Sequence, residues 1–149
     1  QLLGRVAVLA LRLGVDSAAE DGARALEAAR RVGNHAVIAD VLVTFGDAMP
    51  GEAPDGNELA RAAASLATRE RFDAALELYG RALDTADKPL PIVKSMIQWA
   101  DDLLRCDATI ETALRVFDAL DTHCPDHPFA DFVERGRHDA EHKLERVGR

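Results

Sequence analysis

The chain has 149 residues, a formal net charge of −8, 48% hydrophobic residues and only 5% aromatics. That length suits a single domain, 1–149, whose core must be built from Ala, Leu and Val rather than from aromatic rings. The acidic balance argues against a nucleic-acid binder, which needs clustered Lys and Arg to replace phosphate counterions, and it disfavours docking on an anionic membrane.

Of the 18 basic residues, 15 are Arg, which together with abundant Ala and Asp points to a bacterial protein. Cys106 and Cys124 are too few for a disulfide framework, so reduced thiols and a cytoplasmic location are expected. No segment sustains the period-two alternation of a half-buried strand, so the fold class is all-α. A first residue of Gln rather than Met is expected of a piece of a longer protein.

Eight helices are predicted, over roughly 2–13, 17–32, 35–49, 57–69, 72–86, 91–105, 108–122 and 128–146. In the first, Leu2, Val6, Leu9 and Leu13 share one face. The apolar run Leu2 to Val15 carries Arg5 and Arg12, is too short to span a bilayer and lacks a signal-peptide cleavage site. Asp16-Ser17 is placed to cap the second helix, and Gly33-Asn34 to end it, because both tolerate the left-handed backbone common at helix ends. Residues 50–57 hold two Pro and two Gly and must be a loop. Pro89 and Pro91 separate the fifth and sixth helices, and Pro125 and Pro128 bracket the turn before the last.

The stretch from Leu59 carries the most information. Leu59, Ala62, Ala63 and Leu66 lie on one stripe at helical period, and Ala75, Tyr79, Ala82 and Leu83 form a matching stripe on the next helix. Ala63 and Ala75 are expected where the paired helices approach most closely. A second copy follows in Ile97, Ala100, Asp101 and Leu104, then Ile110, Ala113 and Phe117, with Pro125 closing it. Ile97 lies 38 residues after Leu59, and Ala113 lies 38 after Ala75. Two landmarks with one offset indicate an internal repeat.

This pattern resembles the tetratricopeptide repeat, in which a large apolar residue, Leu-Gly, Tyr, Ala-x3-Phe and Pro recur at fixed spacing. The clearest copies cover 57–89 and 94–125, with an insertion around Lys88-Pro89-Leu90-Pro91. Residues 1–50 are degenerate, although Leu42-x2-Phe45-Gly46-x2-Met49 keeps the family's Gly. Residues 128–146, charged at Glu134, Arg135, Arg137, Asp139, Glu141 and Lys143, read as a capping helix with one polar face. The resemblance implies an antiparallel helix-pair solenoid of about eight helices, a tetratricopeptide-like superhelix.

It also implies a non-enzymatic protein-interaction module, without cofactor, that binds a peptide or partner helix in its concave groove. The groove positions of the family map onto Asn57, Arg61, Ala64 and Thr68, and onto Ser95, Gln98, Trp99, Asp102 and Arg105. These lie off the packing stripes, and Arg offers a planar, multidentate donor to a carboxylate. Asp102 among them departs from the set of basic residues and Asn with which family members clamp a carboxylate. Trp99 is expected at the edge of a core face made by Val93, Met96, Ile97, Ala100 and Leu104, beside Ile92 and Leu103. The alternative is a structural or self-associating segment, using the N-terminal helix for a homo-oligomer or for contact with flanking domains.

Enzymatic readings fare worse. His123, His127, His138 and His142 crowd a short span, and His138-x2-Glu141-His142 has the written form of an inverted zinc-protease motif. That motif needs a third ligand well downstream, and none follows, so no metal site is assigned. The glycines lack the strand-loop-helix setting of a phosphate-binding loop, and Cys106 has no visible activating partner.

Overall fold

The structure, a computed structural model, describes residues 18–46 and 51–148. The helix expected over 2–13, the Asp16-Ser17 cap and the last residues expected of the third helix lie outside this range. Among the described residues there are seven helices and no strand. They are α1 (Ala18–Val32), α2 (His35–Phe45), α3 (Gly56–Thr68), α4 (Phe72–Thr85), α5 (Leu90–Leu103), α6 (Ile110–His123) and α7 (Ala130–Val147). A short 3-10 turn, Asp107–Thr109, leads into α6. The chain divides into two compact units within α4, one ending at Leu78 and the other beginning at Tyr79.

In the first unit, α2 packs against both α1 and α3. It is apolar nearly all round and buries Val37, Ile38, Ala39, Val41, Leu42 and Phe45, as a helix with neighbours on several sides must. Helix α1 is amphipathic instead, with Ala25, Leu26 and Ala29 buried, acids in its first turn and Arg30 and Arg31 in its last, the polarity the helix dipole favours. Gly33, at a φ of 66°, turns the chain out of α1. The Asn34 side chain then accepts a hydrogen bond from the Val37 amide at 3.3 Å and starts α2.

Three groups tie the polar edges of this unit. Asp55 accepts from the Glu58 amide at 2.8 Å and caps α3. The Arg30 guanidinium donates through Nε to Glu58 at 2.7 Å and through its other nitrogen to the second carboxylate oxygen, a bidentate pair across 28 residues. That hydrogen bond to Glu58, opposed by partial burial, raises the Arg30 pKa further. Asp40 on α2 accepts from Arg69 at 3.1 Å and from Arg71 at 3.0 Å, so it spans the turn after α3. The turn is closed by the Arg71 amide donating to the Leu66 carbonyl at 3.0 Å.

In the second unit, α6 packs against both α5 and α7. Its Ile110, Ala113, Val116, Phe117 and Leu120 are buried. Pro91 lies in the first turn of α5, where a missing amide hydrogen costs nothing. His123 at the end of α6 reaches Asp84 of α4, Nδ1 to carboxylate 2.8 Å, and its ring lies against Gly80. Helix α7 is the most polar of the seven and buries Val133 and Ala140. Arg137 clips it to α6 by donating to both Asp118 and Asp121.

The core face of α5 differs from the expected one. Ile92, Val93, Met96, Ala100 and Leu103 are buried, whereas Ile97 and Leu104 are only partly covered. Apolar residues at 92, 93, 96, 97, 100, 103 and 104 form a stripe wider than one neighbour can cover. Helical spacing admits two overlapping core faces there, and the packing against the neighbouring elements selects the one centred on Met96.

Candidate functional site

The two helices of the proposed repeat behave differently under the 38-residue offset. The second-helix landmarks match: Ala75 and Ala113 are both 0% exposed, and Tyr79 and Phe117 are both 2% exposed. The first-helix landmarks do not. Leu59, Ala63 and Leu66 are at most 1% exposed, but their counterparts Ile97 and Leu104 are partly covered and Asp101 is exposed.

Those three counterparts line one wall of a groove in the second unit, with a volume of about 390 Å³. Helix α5 contributes Ile97 and Asp101, with Leu104 and Arg105 just beyond its end, and α7 contributes Phe132, Arg135, Gly136, Asp139 and Lys143. Phe117 of α6 forms the apolar base. Gly136 lets α7 lie close to α6, since a Cβ there would stand 2.9 Å from the Phe117 ring. Phe132 remains 52% exposed on the α7 wall. The trough is thus apolar below and charged along both rims.

The rims are asymmetric. On α5, Arg105 is shared by Asp101 and Asp102 at 3.8 Å each. On α7, Arg135 and Lys143 stand one turn to either side of Asp139 along the helix. The α5 side of the groove itself carries Asp101 and Arg105, one charge of each sign, and on the α7 side two bases flank one acid.

The residues expected to bind a partner fall in several environments. Asn57, Arg61 and Thr68 are exposed on α3 and Ala64 is partly covered; the Thr68 hydroxyl donates to the Ala64 carbonyl at 2.9 Å. Ser95 lies 3.3 Å from the Tyr79 hydroxyl. Trp99 is partly buried with its ring centroid 5.5 Å from that of Tyr79, so it forms an internal aromatic joint between α5 and α4. Burial raises the Tyr79 pKa, while the Ser95 hydroxyl pulls it the other way. Gln98 donates to Asp102 at 3.2 Å. Of the nine, Arg105 lines the groove.

Ile97 and Leu104 escaped the sequence reading because they look like core, and the α7 residues because they look like a solvated face. Their common signal is the spacing 132, 135, 136, 139 and 143, one helical face that mixes Phe and Gly with charge.

The histidines disperse. His123 pairs with Asp84, and His138 and His142 are exposed on α7. His127 is buried, its Nδ1 accepting from the Phe129 amide at 3.1 Å, which leaves the proton on a buried Nε2 with no protein partner. Among the described residues no three His, Cys, Asp or Glu side chains gather as a metal site would require.

No family model, no curated protein and no solved structure matches this chain.

Proposed function

We propose that the chain is a non-enzymatic interaction module of tetratricopeptide type, in which helix pairs stack as a solenoid and the groove between α5 and α7 takes a segment of another polypeptide. One observation carries this reading. The positions of the repeat that are sealed at Leu59, Ala63 and Leu66 open at Ile97, Asp101 and Leu104 onto an apolar trough. Leaving apolar surface open to water forgoes roughly 25 cal/mol for each Å² that burial would recover. An incoming apolar side chain gains that term on both surfaces at once. The charged rims then set which partner is accepted, as polar borders do in interfaces generally.

The resemblance to the repeat family supports the binding role, and the 38-residue offset supports the resemblance. The test is affinity capture from lysate with the wild-type chain and with a Leu104→Asp, Arg105→Glu variant of normal helical circular dichroism. A protein retained by the wild type and lost by the variant is the expected result. Capture that is equal for both chains would move the function away from this groove.

A further inference from the structure

We propose that the chain associates with a second copy of itself through the outer face of α7, the two α7 helices crossing antiparallel about a two-fold axis at Arg137. The contact uses the side of α7 that faces away from the apolar base of the groove, so it stands whether or not the groove takes another polypeptide. Three observations lead there.

The first is a charge pattern. Asp131, Arg135, Asp139 and Lys143 follow one another at four-residue intervals. They therefore form one ridge along the helix, roughly 18 Å long at 1.5 Å per residue. Their signs alternate: negative, positive, negative, positive. Read backwards, the ridge is its own complement. Laid antiparallel on a copy, Asp131 meets Lys143 and Arg135 meets Asp139, and each pair occurs twice. A parallel copy in the same register would set like against like.

The second is that these charges are not engaged within the chain. Asp131, Arg135 and Asp139 are exposed and Lys143 is partly covered. Opposite charges four residues apart can pair along a helix. Among the described residues, however, none of the four makes an ion pair. Arg137, on the same helix but turned inward, is held by both Asp118 and Asp121. A partner ridge thus displaces no internal pair.

The third is shape. A hollow of about 490 Å³ is lined by Asp131, Arg135 and Asp139 together with Glu134 and His138. Glu134 and His138 belong to the next ridge of the helix, so the hollow is the groove between two ridges. Such grooves receive the ridge of a neighbouring helix; when four-residue ridges of both helices interdigitate, the ridges run side by side and the axes cross at about −50°. The two-fold axis places each ridge in the hollow of the other chain, the same patch serving on both sides as an isologous contact requires.

The size of the contact sets its strength. One helical ridge per chain falls short of the roughly 800 Å² per partner of a standard interface, and exposed ion pairs are individually weak, so reversible association is expected at about 0.1–1 mM chain. The net charge of −8 on each chain opposes approach, but it is screened beyond about 8 Å at physiological ionic strength, whereas the ridge charges meet in contact.

The test is sedimentation equilibrium of the full chain over that concentration range. The wild type is expected to rise from the mass of one chain toward that of two. An Asp139→Lys, Lys143→Asp variant keeps the net charge but changes the ridge to negative, positive, positive, negative, which opposes like charges at every position. Its association should be at least about tenfold weaker. An all-acidic ridge (Arg135→Glu, Lys143→Glu) and an all-basic one (Asp131→Lys, Asp139→Lys) should each remain single chains alone and form a one-to-one complex when mixed. Circular dichroism checks that each variant keeps its helices. A wild type that stays a single chain throughout would overturn the proposal and leave the ridge to a different partner. Association of the exchanged variant equal to wild type, or no complex on mixing the two reversed ridges, would overturn it as well.

Discussion

Tyr79 is the only tyrosine in the chain, so its titration is visible without ambiguity. Burial raises its pKa above the usual 10.0 because a phenolate would lose its hydration, an effect the Ser95 hydroxyl only partly offsets. Between the unfolded and folded values, the folded state holds a proton that the unfolded state has lost. Stability from this group is thus complete below about pH 10 and falls as pH rises through the folded value. Tyrosinate absorbance of the folded chain should appear at higher pH than in denaturant, and Tyr79→Phe should remove the alkaline loss of stability. Coincident titrations in the two states would contradict the burial. Gly136 offers a second single-residue test. A Cβ there would lie 2.9 Å from the ring of the buried Phe117, which would have to shift to admit it. Gly136→Val is expected to cost about 1–3 kcal/mol by overpacking, read as a lower denaturation midpoint. A midpoint at or above wild type would show that α7 yields at this point. Neither feature was legible in advance. The sequence marks Tyr79 as a repeat landmark and does not single out Gly136, since a helical glycine declares its close neighbour only once that neighbour is placed.

Helix boundaries were far more legible than faces. Among the described residues the loop at 51–55, the prolines before α5 and the turn between α6 and α7 fall where Pro, Gly and capping side chains put them, because these signals act locally; α3 begins at Gly56, two residues inside the expected loop. Asp55 is such a signal: its carboxylate accepts the Glu58 amide at 2.8 Å, one of the donors that the first turn of α3 leaves unpaired. Asp55→Ala should destabilise the chain by about 1 kcal/mol, seen as a lower urea midpoint with an unchanged slope. An unchanged midpoint would mean that another acceptor replaces it. The face of α5 was misread because spacing within one helix cannot choose between two apolar stripes that overlap. Its neighbours chose, burying Ile92 and Leu103 and leaving Ile97 and Leu104 at the groove. The same limit applies to α7, which reads as a charged capping helix and presents Phe132 and three charged side chains to that groove.

For the molecule as a whole, composition excluded strands and spanning helices, and the described residues agree: all seven elements are helical, and none is long and apolar enough to cross a membrane. The 38-residue offset was also visible in one dimension, because a shared packing role demands the same residue size at the same spacing. Ala75 and Ala113, and Tyr79 and Phe117, share that role and share their burial. By itself, then, the sequence determined the helical class, most of the places where the described helices start and stop, and the small and large buried positions shared by α4 and α6. These depend on backbone preference, capping and helical period, all of which act over a few residues. Only the tertiary structure decided which side of α5 is core, how closely Gly136 brings α7 to Phe117, and that Asp101, Arg105, Arg135 and Lys143 border one trough. Those outcomes depend on contacts between different helices, 19 positions apart for Phe117 and Gly136 and 30 for Arg105 and Arg135, and nothing in the local spacing of either helix encodes how far its neighbour stands from it.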